Sequence, residues 1–131
     1  MGETDANFNV EAFEGNNFMT LIASGTYSLE RAIHLCKLSI DTCLLYNKKK
    51  ILVDITKVTG NVPFFDRFQY AEALAQYKSK HALTAVSKIA LFGNEPLIDK
   101  NRFGETVAVN RGVNIKVFTE LNDALAWLNE V

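Results

Sequence analysis

Long hydrophobic runs are missing from this sequence, and neither sign of charge is in excess. No stretch reaches the roughly 20 apolar residues that a membrane-spanning helix requires, which excludes an integral membrane protein. The first residues carry two carboxylates and lead into no apolar run of signal-peptide length, so we expect no export. Fourteen Lys and Arg stand against fifteen Asp and Glu, so no long-range positive field attracts nucleic acid or anionic lipid headgroups.

Cysteine and histidine are scarce, with two residues of each. Cys36 and Cys43 fall on one predicted helix, about 10 Å apart along its axis at ~1.5 Å per residue, which is too far for a disulfide between them. Two reduced thiols are typical of a cytoplasmic protein. His34 falls on a polar helix face and His81 in a polar connection, and no set of residues has metal-ligand spacing. We therefore expect no metal and no cofactor.

Glycine-rich phosphate loops are missing as well. The chain contains neither the GxGxxG nor the GxxxxGK pattern, which argues against the usual kinds of nucleotide binding. Two helix starts, near Phe64 and Asn101, could still hold an anion, because helix N-termini attract negative charge. Arg67 or Arg102 would add positive charge there, although surface arginines at helix starts also occur without any ligand.

The length and composition of the chain fit one globular domain over residues 1–131. Residues 1–6 are expected to be flexible. A length of 131 residues with 48% hydrophobic content suits a single domain with its own core. Alternating apolar residues over 8–13, followed by a second run of strand formers over 18–24, predict an N-terminal hairpin. Two short apolar runs, at 51–55 and 88–92, predict strands buried on both faces, and 115–118 is predicted to form the last strand.

Helices are predicted between and after these three strands. Apolar residues recur every three or four positions after Ser28, which is suited to cap the first helix. Phe64, Phe68, Ala71 and Ala75 share one face of the second helix, which we expect to pack on the sheet. Gly112 is placed to end the third helix and Thr119 to cap the fourth. The predicted helices cover 29–46, 64–79, 101–111 and the residues after Thr119, with Leu121, Ala124, Leu125 and Leu128 on one face.

The predicted fold class is therefore α/β, of a doubly wound kind. Strands that alternate with helices imply parallel crossovers, and the first strand is expected to be antiparallel at an edge. The result is a five-stranded mixed, mostly parallel sheet with four helices. Ligands of such sheets bind beyond the carboxyl ends of the strands, which directs attention to the loops at 56–65 and 93–102.

A second apolar stripe runs along the first helix. Leu38 and Leu45 fall opposite the core-facing residues, and Leu35 extends the stripe toward the core. Tyr70 and Tyr77 form a similar pair on the second helix. These residues are candidates for a homodimer seam or a protein contact, although single exposed leucines also occur without function.

Several motifs, taken together, resemble a known family. They are ILVDITKVTG, KIALFGNEPL, RFGETVAVNRG, NIKVFTE and DALAWL, in that order over about 51–128. This part of the chain resembles the bacterial SpoIIAA-like set, which is related to STAS domains. The resemblance implies the fold of anti-sigma factor antagonists, which is akin to that of CRAL-TRIO lipid-transfer domains.

The resemblance implies less about function. Well-known antagonists carry a phosphorylatable serine at the start of the helix after the third strand, where this chain has Val62, Pro63 and Phe64. Kinase-controlled partner switching of that kind is therefore not implied, although Thr56 and Thr59 stand nearby. The exchange makes the crevice more apolar, which fits a pocket for a lipid or another hydrophobic ligand.

The leading hypothesis is a non-enzymatic binding or regulatory module of STAS-like type in the cytoplasm. It would either dock a protein partner or hold a small apolar, lipid-like ligand, with Phe64 and Phe65 supplying apolar contact and Arg67 and Arg102 pairing with an acidic head group. One alternative is an enzyme that uses a carboxylate as acid or base. Another is a structural homodimer on the Leu38 and Leu45 stripe. The candidate carboxylates are Asp54, Asp66 and Glu95.

Overall fold

The computed structural model describes residues 7–81, 86–99 and 101–130, so the expected flexibility of residues 1–6 lies outside it. Two strands, then alternating helices and strands, follow in the predicted order. The strands are β1 (Phe8–Glu14), β2 (Met19–Thr26), β3 (Lys50–Thr59), β4 (Lys88–Phe92) and β5 (Ile115–Phe118). The helices are α1 (Leu29–Tyr46), α2 (Phe64–His81), α3 (Phe103–Asn110) and α4 (Leu121–Leu128).

The five strands form one mixed sheet in the order β1-β2-β3-β4-β5. β1 pairs antiparallel with β2 at one edge, and every other pair is parallel. The predicted fold class is thus confirmed in its sheet, its helices and its antiparallel edge strand.

The expectation of doubly wound topology is wrong. Each crossover from β2 to β5 moves one strand in the same direction, so the preferred right-handed connection places α1, α2 and α3 on one face. Residues of these three helices share a large core with Leu21, Val53 and Ile89 of the strands. Leu52 and Ala90 point to the opposite face, where α4 covers a smaller core.

Helix boundaries follow from capping. The Ser28 hydroxyl accepts a hydrogen bond from the Arg31 backbone N–H at 3.1 Å, which confirms the predicted cap of α1. Gly112 has a φ of +89° directly after α3, as a C-terminal glycine should. The predicted cap of α4 at Thr119 is wrong, because Glu120 occupies the cap position without a side-chain hydrogen bond.

Two elements differ in length from their predicted bounds. β3 continues to Thr59, because the β2–β3 register shifts after Ile22 and Thr26 then pairs with Thr59. This extension is partly polar, so no hydrophobic run in the sequence predicted it. It has no partner in β4, because β4 ends opposite Asp54. α3 begins at Phe103 rather than Asn101, because the Asp99 carboxylate accepts the backbone N–H groups of both residues.

Candidate functional site

Arg67 of α2 lies where the loops after β3 and β4 meet at the carboxyl edge of the sheet. Its Nη1 donates to the Val62 carbonyl at 3.1 Å, and its Nη2 donates to the carbonyls of Pro96 and Leu97 at 2.9 and 3.1 Å. Only 9% of the residue is exposed. One buried guanidinium therefore ties the β3–α2 loop to the β4–α3 loop.

The charge of Arg67 is incompletely matched. No carboxylate among the described residues forms an ion pair with it, and its buried Nε–H has no acceptor there. Asp99 is close enough for the guanidinium to contribute to lowering the pKa of that carboxyl, although the backbone N–H of Phe103 is the larger cause. A buried charge without a paired partner is costly, so such a residue marks a candidate binding position.

The phenylalanines at the start of α2 lie outside the core. Phe64, Phe65 and Phe68 are 60%, 73% and 40% exposed, and we name them the phenylalanine surface. The Phe64 ring stacks on Phe103 of α3 with centroids 4.7 Å apart and meets Phe65 edge-on at 5.4 Å. The Arg111 guanidinium lies over Phe68 at 4.9 Å. Two helices thus contribute to one exposed aromatic surface.

The predicted packing face of α2 was therefore wrong in its first turn. Ala71 and Ala75 do face the sheet, at 2% and 9% exposed, but Phe64 and Phe68 do not share their burial. Arg67 takes the inward position four residues before Ala71, because three carbonyl oxygens across the loops are available to it. The helix is rotated so that the guanidinium lies inside and the rings lie outside.

Two small adjoining cavities lie between the sheet and the three helices on the larger-core face. They measure about 70 and 90 Å³ and share walls. The first is bordered by Arg67, Asp99 and Arg102, and the second by Val58 of the β3 extension. Residues common to both are Leu35, Cys36, Tyr70, Leu91 and Leu97.

The four residues predicted to share one ligand site are divided between two places. Arg67 and Arg102 border the first cavity, whereas Phe64 and Phe65 line neither cavity and point outward. Sequence reasoning did not place Cys36 at a ligand site, and it assigned Tyr70 to a partner contact instead of a cavity wall. The spacing of Arg67, Tyr70 and Leu74 along one inner helix face was the available signal.

The Cys36 thiol and the Tyr70 phenol in the cavity walls are uncharged at neutral pH. Burial raises the pKa of Cys36 from 9.0 to about 12 and that of Tyr70 from 10.0 to about 12. A thiol that stays protonated is a poor nucleophile and a poor metal ligand. In the part of the chain that the structure describes, no group of three or more histidine, cysteine or acidic residues could hold a metal ion.

Residues proposed for a partner interface do not form one continuous surface. Leu45 is 76% exposed, but Leu38 is half-buried against the core. Leu35, which was predicted to extend the stripe toward the core, is 9% exposed and lines both cavities. Tyr70 is half-buried beside the cavities, whereas the Tyr77 hydroxyl donates to Asp41 of α1 at 2.7 Å.

The candidate catalytic carboxylates are dispersed. Asp54 follows Leu52 by two positions and so lies on the α4 face, with Oδ1 accepting from the Thr56 hydroxyl at 2.7 Å. Asp66 lies across the sheet on α2 and accepts from the Tyr27 hydroxyl at 2.8 Å. Glu95 is exposed in the β4–α3 loop. Since Asp54 and Asp66 are on opposite faces, the arrangement does not pair them for proton transfer.

Comparisons with known proteins agree with this architecture. A family model described as SpoIIAA-like matches residues 18–129. An anti-sigma factor antagonist from Mycobacterium paratuberculosis is similar in structure, with a TM-score of 0.60 and 13% identity over 94% of this chain and 95% of that one. An uncharacterised protein with a SpoIIAA-like fold from Shewanella loihica has a TM-score of 0.54 and 20% identity over 98% of each chain. No curated protein matches in sequence.

Both structural similarities lie below 25% identity and bear on the fold alone. Among the described residues, no helix combines the length and apolar character needed to cross a bilayer.

Proposed function

We propose that this chain, which belongs to the SpoIIAA-like family, is a non-enzymatic regulatory module that docks a protein partner through its phenylalanine surface. The exposure of Phe64 and Phe65 carries the proposal, because large apolar rings rarely stay in water on a protein that binds nothing there. Aromatic residues also contribute strongly to the centres of protein interfaces. The structurally similar mycobacterial protein is an anti-sigma factor antagonist, which is consistent with a regulatory protein contact.

The phenylalanine surface is held in place before any partner arrives. Stacking on Phe103 fixes Phe64, and the Arg67 bonds to Pro96 and Leu97 fix the loop beneath. A preorganised surface loses less conformational freedom on binding, so more of the contact energy becomes affinity.

The partner that fits has an apolar pocket with an acidic rim. Arg102 is exposed and directly precedes Phe103, which stacks on Phe64, and the Arg102 guanidinium makes no ion pair or hydrogen bond with another described residue. Arg111 stacks on Phe68 and pairs with Glu72, so its own charge is already matched. A partner carboxylate near Arg102 would orient the partner on the surface and speed its association, and it would contribute less to the affinity.

A capture experiment with a matched control tests the docking proposal. Tagged wild-type chain, Phe65→Ser and Leu45→Ser are used to isolate partners from cells, and the affinity of a recovered protein is then measured with each purified form. Leu45 is the control because it is 76% exposed on α1, against 73% for Phe65. Loss of one buried aromatic contact should weaken binding at least about 10-fold for Phe65→Ser, and Leu45→Ser should bind like wild type.

The opposite pattern would contradict the proposal. If Leu45→Ser abolished the interaction and Phe65→Ser retained it, the interface would lie on α1. If the recovered partner were a second copy of this chain, the structural homodimer would replace the regulatory module.

A cytoplasmic location is part of this proposal. It is supported by the two free thiols, Cys36 and Cys43, which an oxidising compartment would expose to disulfide exchange whenever the protein opened. Secretion of the folded chain into the periplasm would contradict it.

A small apolar ligand is a second candidate function, favoured by the two adjoining cavities. Their shared walls are mostly apolar side chains and lie beside the buried Arg67 guanidinium. The ligand would occupy the interior and leave the phenylalanine surface free, so the two functions are compatible.

A further inference from the structure

We infer that the two adjoining cavities form one site for a compact carboxylate with a short apolar tail, whose head group is held by Arg67 and Tyr70. This inference deepens the second candidate function by naming the ligand class. It does not depend on the phenylalanine surface, because Phe64 and Phe65 border neither cavity.

The tail would meet an apolar lining. Leu35, Leu91 and Leu97 border both cavities, and Val53, Leu74 and Ile89 border the first. Such walls favour a hydrocarbon because its removal from water contributes in proportion to the area buried.

The head group would meet one buried donor without a described acceptor, on Arg67, and one hydroxyl beside it in the cavity wall, on Tyr70. The Nε–H of Arg67 is buried and has no acceptor among the described residues. The Tyr70 hydroxyl likewise makes no hydrogen bond with a described side chain, and it lies beside Gly104, where an added Cβ would be 3.2 Å away. Buried polar groups are nearly always satisfied, so the unpartnered Arg67 Nε–H on the wall of the first cavity indicates a missing acceptor.

The protein's own carboxylates near the first cavity already accept hydrogen bonds from backbone N–H groups. Asp99 accepts backbone N–H groups from Asn101 and Phe103 at 3.1 and 2.7 Å. Glu105 accepts the Val117 N–H at 2.7 Å. Neither forms an ion pair with Arg67, so a ligand carboxylate would supply the charge and the acceptor that the guanidinium lacks.

Cavity size limits the ligand. Volumes of about 70 and 90 Å³ are far below the roughly 300–1,000 Å³ of pockets for drug-sized molecules. A long-chain lipid does not fit, which narrows the lipid-like ligand expected from the sequence to a short-chain acid. Exposed Arg102 borders the first cavity, so this end reaches the surface at the carboxyl edge of the sheet.

A nuclear magnetic resonance titration of the isotope-labelled full chain tests the site. Hexanoate, hexan-1-ol and hexylamine are compared near neutral pH, since they share a tail and differ in the head group. Hexanoate should give saturable shifts at amides around Tyr70, Leu91 and Leu97. Hexan-1-ol should bind about 10-fold more weakly, because it lacks the charge-assisted bond, and hexylamine should not bind.

Two substitutions locate the site without disturbing the loops. Tyr70→Phe removes only the hydroxyl, breaks no hydrogen bond between described residues, and should weaken hexanoate binding about 10-fold. Leu91→Phe enlarges a side chain that both cavities share and should abolish binding. Unfolding midpoints of both variants establish that they fold.

Absence of saturable shifts with hexanoate, or binding of hexylamine as tight as that of hexanoate, would overturn the inference. So would unchanged hexanoate affinity in both variants. The outcome is separable from the docking proposal, because Phe65→Ser should bind hexanoate normally whether or not it has lost its partner.

Discussion

Arg67 and Leu97 are joined across the carboxyl edge of the sheet by a hydrogen bond of 3.1 Å from the guanidinium Nη2 to the Leu97 carbonyl. The two residues belong to different βαβ units, and the same side chain also binds Val62 in the loop before its own helix. Because the phenylalanine surface begins next to one of these loops and the first cavity borders the other, the exposed and interior candidate sites share one structural support.

Removal of that support should destabilise the protein. Arg67→Ala leaves three loop carbonyls without their donor, partly offset by removal of a costly buried charge, so we expect a loss of about 2–3 kcal/mol in the free energy of unfolding. Denaturant titration measures it. Arg102→Ala is the control, since Arg102 is exposed and should change stability by less than about 0.5 kcal/mol. Equal effects of both substitutions would contradict the role assigned to Arg67.

Two glycines with positive φ should respond differently to alanine. At Gly25, with φ +124°, an added Cβ would lie 1.9 Å from the Asn7 carbonyl oxygen, so backbone must move. Gly112 has φ +89° and nothing within 4 Å of an added Cβ, so only the conformational cost applies. We expect Gly112→Ala to cost about 1 kcal/mol and Gly25→Ala at least about 2 kcal/mol more. Thermal and denaturant unfolding distinguish the two, and a larger loss at Gly112 would be inconsistent with this geometry.

The half-buried Tyr70 phenol should make the fold sensitive to high pH. Burial raises its pKa from 10.0 to about 12, so the folded state holds the proton more tightly than the unfolded state. Protonated Tyr70 therefore makes its full contribution to the free energy of unfolding below about pH 10, and this contribution is lost as the pH rises through about 12. Tyr70→Phe should therefore lose less stability than wild type over that range, as measured by unfolding at several pH values. A parallel decline in both proteins would show that Tyr70 does not contribute.

Much of the fold could be predicted from local pattern. The alternation at the start of β1 matches its half-buried Phe8 and Val10, and the apolar runs of β3 and β4 mark their buried residues. The Ser28 cap reflects a hydrogen bond within one helical turn. The direction of winding could not be read in this way. Whether successive crossovers continue or reverse depends on which strands pair, and no local spacing encodes that.

The site was less predictable, because the burial of Arg67 depends on distant partners. Its acceptors include Pro96 and Leu97, about 30 residues away in the sequence, so a helical wheel places the guanidinium outside and the phenylalanines inside. The structure has the reverse order. The resemblance to the SpoIIAA-like family predicted the architecture correctly. It did not predict that the phenylalanine rings lie on the surface, apart from the interior cavities.

The docking proposal is tested most directly by crosslinking in cells. A photoreactive phenylalanine analogue, p-benzoylphenylalanine, replaces Phe65 in one strain and Leu45 in another, because both positions are exposed and the analogue keeps an aromatic ring. We expect irradiation to link a distinct protein to the chain at position 65 and not at position 45. Crosslinks only at position 45, or only between copies of this chain, would contradict the assignment of the phenylalanine surface as the partner interface.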